Sequence, residues 1–153
     1  MKRGQAWGFD VIIGFVIFTA VIVIFYLYVL NAPGQSQEEV ESLQYEGGLV
    51  TNSLLSEGFP KNWTTTDVQI IGILESDKKI NETKLANFET LTTTQYQQTK
   101  TLFNIKNEYY VEFSEPSISA IGLAPINQEN LVRIERLTIY QNKPITMTVQ
   151  IWN

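Results

Sequence analysis

The chain has 153 residues with 11 basic and 16 acidic side chains, and it contains neither cysteine nor histidine. A chain without cysteine has no disulfide framework and no thiol chemistry, and the preferred ligands of zinc and copper are missing. The Ser-His and Cys-His pairs of nucleophilic catalysis are excluded for the same reason. The length that follows the apolar N-terminal region suffices for one modest domain.

Residues 11–30 form an uncharged apolar run, VIIGFVIFTAVIVIFYLYVL, in which Thr19 is the polar interruption. A helix rises 1.5 Å per residue, so about 20 residues cross a hydrocarbon core of roughly 30 Å. A secretory signal has a shorter apolar region than this run, which argues against a cleaved secretory signal. A core helix that is apolar on every side would need a larger protein to bury it. The run therefore predicts a transmembrane helix, with the lipid bilayer as a partner.

Charge on either side of the run predicts its orientation. Lys2 and Arg3 precede it, and the next basic residue is Lys61. Glu38, Glu39, Glu41 and Glu46 follow the run. By the positive-inside rule we expect a single-pass protein of the cell membrane with a cytoplasmic N-terminus and an extracytoplasmic C-terminal domain. The acidic balance of that domain argues against nucleic acid as a partner.

The juxtamembrane stretch predicts a second helix after a break at Pro33 and Gly34. Ser36 and Glu39 have the spacing of a capping box, and Gly58 with Pro60 are typical of a helix end. The apolar stripe between them has helical spacing: Val40, Leu43, Gly47, Val50 and Leu54. Together the two helices would form a kinked N-terminal spine.

The remaining residues predict a small mixed domain. A short buried strand is expected at 68–74, a turn at 77–79, and two short helices at 83–92 and 95–103. Further strands are expected at 109–113, 118–122, 131–141 and 145–152, the last two joined as a hairpin through residues 142–144. Helices first and an antiparallel sheet last indicate the α+β class. The organisation that follows is 1–10 cytoplasmic leader, 11–30 transmembrane helix, 31–60 juxtamembrane helix and 61–153 head domain.

No pattern of catalytic, cofactor-binding or metal-ligating residues emerges, so we expect a protein that is not an enzyme and carries no cofactor. Glu75 and Asp77 lie two residues apart, but the other ligands of a calcium loop are absent and a solvated turn is expected. No glycine-rich phosphate loop is present. A glycosidase-like pair of carboxylates is left open, because distance along the sequence does not give distance in space.

Two tripeptides match the acceptor motif for N-linked glycans. They are Asn62-Trp63-Thr64 and Asn81-Glu82-Thr83, both in predicted loops beyond the membrane. Such tripeptides also arise by chance in a chain rich in asparagine and threonine. The expected topology places Asn62 and Asn81 on the side where glycans are added.

The N-terminus, Lys2-Arg3-Gly4-Gln5 followed by a long apolar helix, resembles the processing site of archaeal type IV pilin-like proteins. The resemblance covers about the first ten residues. It implies that a prepilin-type peptidase cuts between Gly4 and Gln5 on the cytoplasmic side. It also implies that the apolar helix packs against like subunits or other pilin-like proteins in a surface filament.

One position departs from the pattern of that family, which usually has a glutamate five residues into the mature chain. That position is Phe9, and the acid is Asp10, one residue later. One step along a helix turns a side chain by about 100°, so the pairing geometry with a neighbouring amine would differ. The shift suits a minor or diverged subunit. In a simpler interpretation, Asp10 is an acid at the membrane edge, and Lys2 or Arg3 neutralises it.

Two functions remain open at this point. One is a non-enzymatic, pilin-like surface subunit or assembly component, whose helix would pack through its small residues Gly8, Gly14 and Ala20. The other is a single-pass tethered domain that binds a partner outside the cell and does not polymerise. Cleavage after Gly4 would distinguish them, since a plain anchor has no reason to be trimmed on the cytoplasmic side.

Overall fold

A computed structural model describes the backbone of residues 4–30, 34–126, 128 and 130–153, and the side chains within those ranges except 4–7 and 34–36. The chain forms two compact units, Met1–Gln37 and Glu38–Asn153, and we call the second the head domain. The elements in chain order are α1 (Gly4–Leu30), α2 (Gly34–Leu54), α3 (Glu82–Phe103), β1 (Glu108–Phe113), β2 (Ile121–Gly122), β3 (Leu131–Tyr140) and β4 (Lys143–Trp152). This order confirms the predicted α+β class. The predicted break between the first two helices falls at residues 31–33, outside the described residues.

Helix α2 supplies one side of the head-domain core. The predicted stripe is buried at Leu43, Val50 and Leu54, whereas Val40 is exposed. The helix begins at Gly34, so Ser36 lies inside it, and the predicted capping box, which puts the first helical residue at 37, is three residues late. It ends at Leu54 rather than at Gly58, because the chain turns through residues 55 and 56 before it reaches that glycine.

The strand predicted at 68–74 is wrong. Four of its apolar residues are buried and Ile70 is exposed, but the segment makes only isolated bridges, Phe59 with Ile70 and Leu74 with Ile80. The backbone N–H of Ile73 instead donates to the carbonyl of Leu54 at the end of α2, 2.9 Å away. Hydrogen bonds to a helix end and to a loop satisfy the backbone here without a ladder. The turn predicted at residues 77–79 is confirmed.

The two helices predicted at 83–92 and 95–103 are one helix, α3, with a kink at Gln95, where φ and ψ leave the helical region. The predicted break is therefore in the right place but does not end the helix. Thr90, Thr93 and Thr94 each donate a side-chain hydrogen bond to the carbonyl four residues earlier. Hydroxyl groups that bond back in this way bend helices, which accounts for a kink directly after them.

The four strands form one antiparallel sheet with the order β2-β1-β4-β3. The predicted strands are confirmed, although β2 has only two residues and β4 begins two residues earlier than expected. The β3–β4 hairpin turns at Gln141 and Asn142, which both have positive φ, so Lys143 and Pro144 belong to the strand. Positive φ at both central residues is the geometry of a two-residue hairpin turn that matches strand twist.

The core lies between the inner face of the sheet and helices α2 and α3. Alternate residues of β4 are buried against the helices, as their spacing predicts: Ile145, Met147, Val149 and Ile151. Gly47 of α2 faces the sheet so closely that a Cβ there would lie 2.7 Å from Ile134 Cδ1. A side chain at position 47 would therefore require Ile134 or helix α2 to shift.

Candidate functional site

Helix α1 is the most distinctive feature of the first unit. From Gly8 to Leu30 its 23 residues have a mean hydropathy of 2.8, and none of this stretch is buried by the rest of the described chain. Its large apolar side chains are all exposed, from 46% at Ile13 to 73% at Tyr28. At 1.5 Å per residue the stretch is roughly 35 Å long, which matches the thickness of a bilayer core. By length and composition it is one candidate membrane span, and an N-terminal signal sequence passes the same test.

The polar and small residues of α1 are compatible with an apolar environment. The Thr19 hydroxyl donates to the carbonyl of Phe15, 2.8 Å away, so its polar group is satisfied within the helix. Gly8 and Gly14 have no described atom within 4 Å of an added Cβ, and Ala20 is exposed. All three residues are exposed.

The predicted processing site lies at the beginning of α1. Gly4 is the first residue of the helix and Gln5 the second. Asp10, the predicted membrane-edge acid, lies about one and a half turns further along and is exposed. The pairing of Asp10 with Lys2 or Arg3 falls on residues outside the described part of the chain.

The two predicted glycan acceptors differ in their surroundings. Asn62 is exposed in a turn, next to the fully buried Trp63, whose indole Nε1 donates to the carbonyl of Gly72 at 2.8 Å. The backbone N–H of Thr64 donates to Asp67 Oδ1, 2.6 Å away, and this hydrogen bond lowers the pKa of the Asp67 carboxyl. The loop that presents Asn62 is thus held at both sides, while the Asn62 amide itself faces solvent.

Asn81 is the N-cap of α3. Its Oδ1 accepts the backbone N–H of Lys84 at 2.9 Å, and its Nδ2 donates to Glu75 Oε1 at 2.6 Å. The amide nitrogen that a glycan would modify is therefore occupied by a hydrogen bond. A cap of this kind satisfies a free N–H in the first helical turn.

Glu75 and Asp77 do lie in a turn, as predicted, but they have separate partners. Glu75 accepts from Asn81, and Asp77 pairs with Lys79, whose ammonium lies 3.0 Å from Asp77 Oδ2. The side-chain hydrogen bond from Lys79 lowers the pKa of the Asp77 carboxyl. Among the described residues, no group of three or more acidic side chains is placed to hold a metal ion.

Sequence reasoning missed a buried polar cluster between α3 and β1, formed by Thr92, Tyr96, Thr99 and Tyr109. The Thr99 hydroxyl donates to the carbonyl of Tyr96, so at 2.6 Å the Tyr109 hydroxyl must donate to Thr99. The backbone N–H of Tyr109 in turn donates to the Tyr96 hydroxyl at 3.0 Å, and the two rings stack with centroids 5.1 Å apart. Burial raises the pKa of both tyrosines. Both hydroxyls therefore stay neutral at physiological pH and act as structural hydrogen-bonding groups.

A second feature that the sequence did not indicate is the buried Lys84. Its ammonium donates to the backbone carbonyls of Glu57 and Leu74, at 2.7 and 2.8 Å. Burial lowers the pKa of this ammonium, and the charges of Glu57 and Glu75 act in the opposite direction. The side chain fastens the loop after α2 to the beginning of α3. Only its contacts, which depend on the fold, distinguish it from the exposed lysines of the sequence.

Two open cavities of similar size flank the sheet. One, of about 550 Å³, lies between α3 and β2 next to Glu108, whose Oε1 is 2.7 Å from the ammonium of Lys100. The other, of about 530 Å³, lies over the outer face of the sheet beside Arg133 and Glu135. Glu108 and Glu135 are each paired with a cation, and Glu112, which also lines the second cavity, accepts a hydrogen bond from Gln150. Glu89 also lines the first cavity, and neither arrangement provides a nucleophile with an adjacent base.

Comparison of the chain with protein families, with curated proteins and with solved structures finds no match.

Proposed function

We propose that this chain is a non-enzymatic, membrane-anchored surface protein of the pilin-like kind, in which α1 is the anchor and the head domain acts outside the membrane. The observation that carries the proposal is the exposure of α1 on every side: its large apolar side chains are at least 46% exposed. A helix that is apolar all round requires an apolar environment, which a bilayer or the helices of like subunits provide.

The core of the head domain also supports the proposal that α1 is the anchor and that the head domain is a separate folded unit. Its buried apolar residues come from α2, α3, the sheet and the loop between the helices, so its core is closed without α1. Burial of apolar area stabilises a fold by about 25 cal/mol per Å², and the head domain obtains this stabilisation from its own elements. In the proposal α1 therefore serves attachment and assembly rather than folding.

Charge supports the proposed orientation. Lys2 and Arg3 precede α1, while nine basic and fifteen acidic residues follow Leu30. Basic residues are retained on the cytoplasmic side of a span, which puts the acidic head domain on the other side. Gly4 and Gln5 then lie where a cytoplasmic prepilin-type peptidase would act.

The test combines topology with processing in the native membrane. We expect external protease to remove a tag placed after Asn153 in intact cells, and the intact mass to show a mature chain that begins at Gln5. Gly4→Val should leave the leader attached, because the branched side chain blocks a pocket that accepts glycine. Gly8→Val is the matched control and should be processed normally, since it lies beyond the cleaved bond. A protected C-terminal tag would overturn the orientation, and a native N-terminus at Met1 or Lys2 would overturn the pilin-like assignment.

The second candidate is a tethered domain that binds a partner and does not polymerise. The observation that favours it is Phe9 at the position where pilin-like proteins usually carry a glutamate, with Asp10 one residue later. An acid rotated by about 100° around the helix cannot pair in the same way with the new amine of a neighbour. Unprocessed chains with correct topology would support this second function.

A further inference from the structure

Strand β3 is an edge of the sheet. On one side it pairs with β4 along its whole length, from Leu131 to Tyr140. On the other side it is held near one end, where the backbone N–H of Ile80 donates to the carbonyl of Ile139 at 2.8 Å. Within the described part of the chain, no strand pairs with residues 131–137 on this side. We call these seven residues the free edge.

The direction of the backbone groups along the free edge follows from that hydrogen bond. The carbonyl of Ile139 points away from β4. In an antiparallel strand, every second residue directs both its N–H and its C=O to the same side of the strand. The residues that present both groups outward are therefore Leu131, Arg133, Glu135 and Leu137. Their side chains are exposed on the outer face of the sheet, with Leu137 79% exposed.

The free edge is self-complementary about Ile134. When a second copy is aligned antiparallel with Ile134 opposite Ile134, each Leu131 lies opposite Leu137 and each Arg133 lies opposite Glu135. These are also the positions at which outward N–H and C=O groups meet. The register therefore forms about eight interchain hydrogen bonds, two for each of four residue pairs, once the carbonyl of Glu135 releases the side chain of Arg136, whose Nη1 donates to it at 3.0 Å.

Neighbouring registers that keep this hydrogen bonding are disfavoured by charge. A shift by one pair in one direction places Arg133 opposite Arg133, and a shift in the other direction places Glu135 opposite Glu135. Like charges directly opposite each other on a sheet are destabilising, whereas opposite charges and apolar pairs each contribute roughly 0.2–1 kcal/mol. Charge complementarity thus selects one register for a second copy of this chain.

We propose that two copies of this protein pair through the free edge of β3, antiparallel and centred on Ile134, to form one continuous eight-stranded sheet. In the monomer Arg133 Nε already lies 3.0 Å from Glu135 Oε1 within the same strand. In the pair each of these charges gains a second partner of opposite sign. A seven-residue strand contact is a small interface, so the association is concentration-dependent. The inference does not depend on the membrane anchor.

Disulfide trapping tests the register directly, because the chain has no cysteine of its own. Full-length Leu131→Cys and Leu137→Cys are purified in detergent and oxidised separately and as an equimolar mixture. In the proposed register Cα of residue 131 lies about 5.5 Å from Cα of residue 137 in the other copy, within disulfide reach. Two residues 131, or two residues 137, lie about 20 Å apart. We expect at least tenfold more crosslinked dimer in the mixture than in either variant alone.

Charge reversal tests the selection of the partner. Glu135→Arg in the crosslinking background should abolish the mixture-specific dimer, because it faces Arg133 with a like charge. The double variant Arg133→Glu with Glu135→Arg should restore it. Equal crosslinking in all three oxidised samples, no crosslinking in any, or crosslinking that Glu135→Arg leaves unchanged would each overturn the proposal. The absence of crosslinking in every sample would assign the charges to keeping the edge free of partners.

Discussion

At the scale of single residues, two asparagines in the same sequence motif have different structural roles. Asn62 presents its amide to solvent from a turn. Asn81 caps α3 and also holds Glu75 through its Nδ2. Tertiary contacts separate two sites that the sequence presents as equivalent.

We predict that Asn62→Gln and Asn81→Gln give opposite results in two measurements. Asn81→Gln should lower the free energy of unfolding by about 1 kcal/mol, because the longer side chain does not cap the helix, whereas Asn62→Gln should change it by less than about 0.5 kcal/mol. If glycans are present on the native chain, Asn62→Gln should remove their mass and Asn81→Gln should not. The measurements are chemical denaturation in detergent and intact mass. A glycan carried by Asn81 alone would contradict this reading of the cap.

At the scale of elements, α2 contains two adjacent glycines with different surroundings. An added Cβ at Gly47 would approach Ile134 Cδ1 to 2.7 Å and Ile151 Cγ1 to 3.3 Å, whereas one at Gly48 meets nothing within 4 Å. Both glycines weaken the helix by roughly 1 kcal/mol relative to alanine. Only Gly47 compensates for this cost, because it lets the helix pack closely on the sheet.

Leucine at each of the two positions tests this difference. Gly47→Leu should destabilise the head domain by about 1–3 kcal/mol, since a large side chain inserted into a packed contact forces strain. Gly48→Leu is the matched control and should be neutral or stabilise by up to about 1 kcal/mol through helix propensity. Thermal unfolding followed by circular dichroism measures both. Stabilisation by both variants would show that helix propensity, not close packing, governs this part of α2.

At the scale of the whole molecule, the Thr92, Tyr96, Thr99 and Tyr109 cluster joins α3 to the sheet and makes the stability of the head domain sensitive to alkaline pH. Burial raises the pKa of the Tyr109 hydroxyl, so the folded state keeps it neutral where the unfolded chain ionises it. The contribution is therefore fully present below about pH 10, the usual pKa of tyrosine, and is lost as pH rises from there toward the folded pKa.

We predict that the free energy of unfolding falls above pH 10, with Tyr109 contributing a slope of up to about 1.4 kcal/mol per pH unit. Tyr109→Phe should lower stability at pH 8 by about 1–2 kcal/mol, because it leaves the Thr99 hydroxyl without its donor. The same variant should make the decline above pH 10 shallower. Tyr45→Phe is the control, since Tyr45 is 67% exposed, and should leave the slope unchanged. Denaturant titrations between pH 8 and 11 measure these slopes, and parallel slopes for wild type and Tyr109→Phe would refute the assignment.

The apolar run from Val11 to Leu30, the alternation along β4 and the stripe of α2 could each be read from the order of residues. The reason is physical: a helix has a period of 3.6 residues and a strand a period of two, so burial on one face leaves a regular pattern in the sequence. The α+β class follows from the same patterns. The strand expected at 68–74 was wrong because an apolar run records burial but not the partner of its backbone.

Only the tertiary structure decided which side chains meet across long separations in the chain. The sequence contains Lys84, Tyr96 and Tyr109 without any sign that they are buried hydrogen-bonding groups, since their partners lie on other elements. The order of residues 131–137 also contains the self-complementary pattern of the β3 edge. It becomes meaningful only when the sheet order shows that β3 is an edge, and when the bond from Ile80 to Ile139 shows which backbone groups face outward. Local periodicity determined the elements, and the pairing of distant segments determined the surfaces at which this protein can bind.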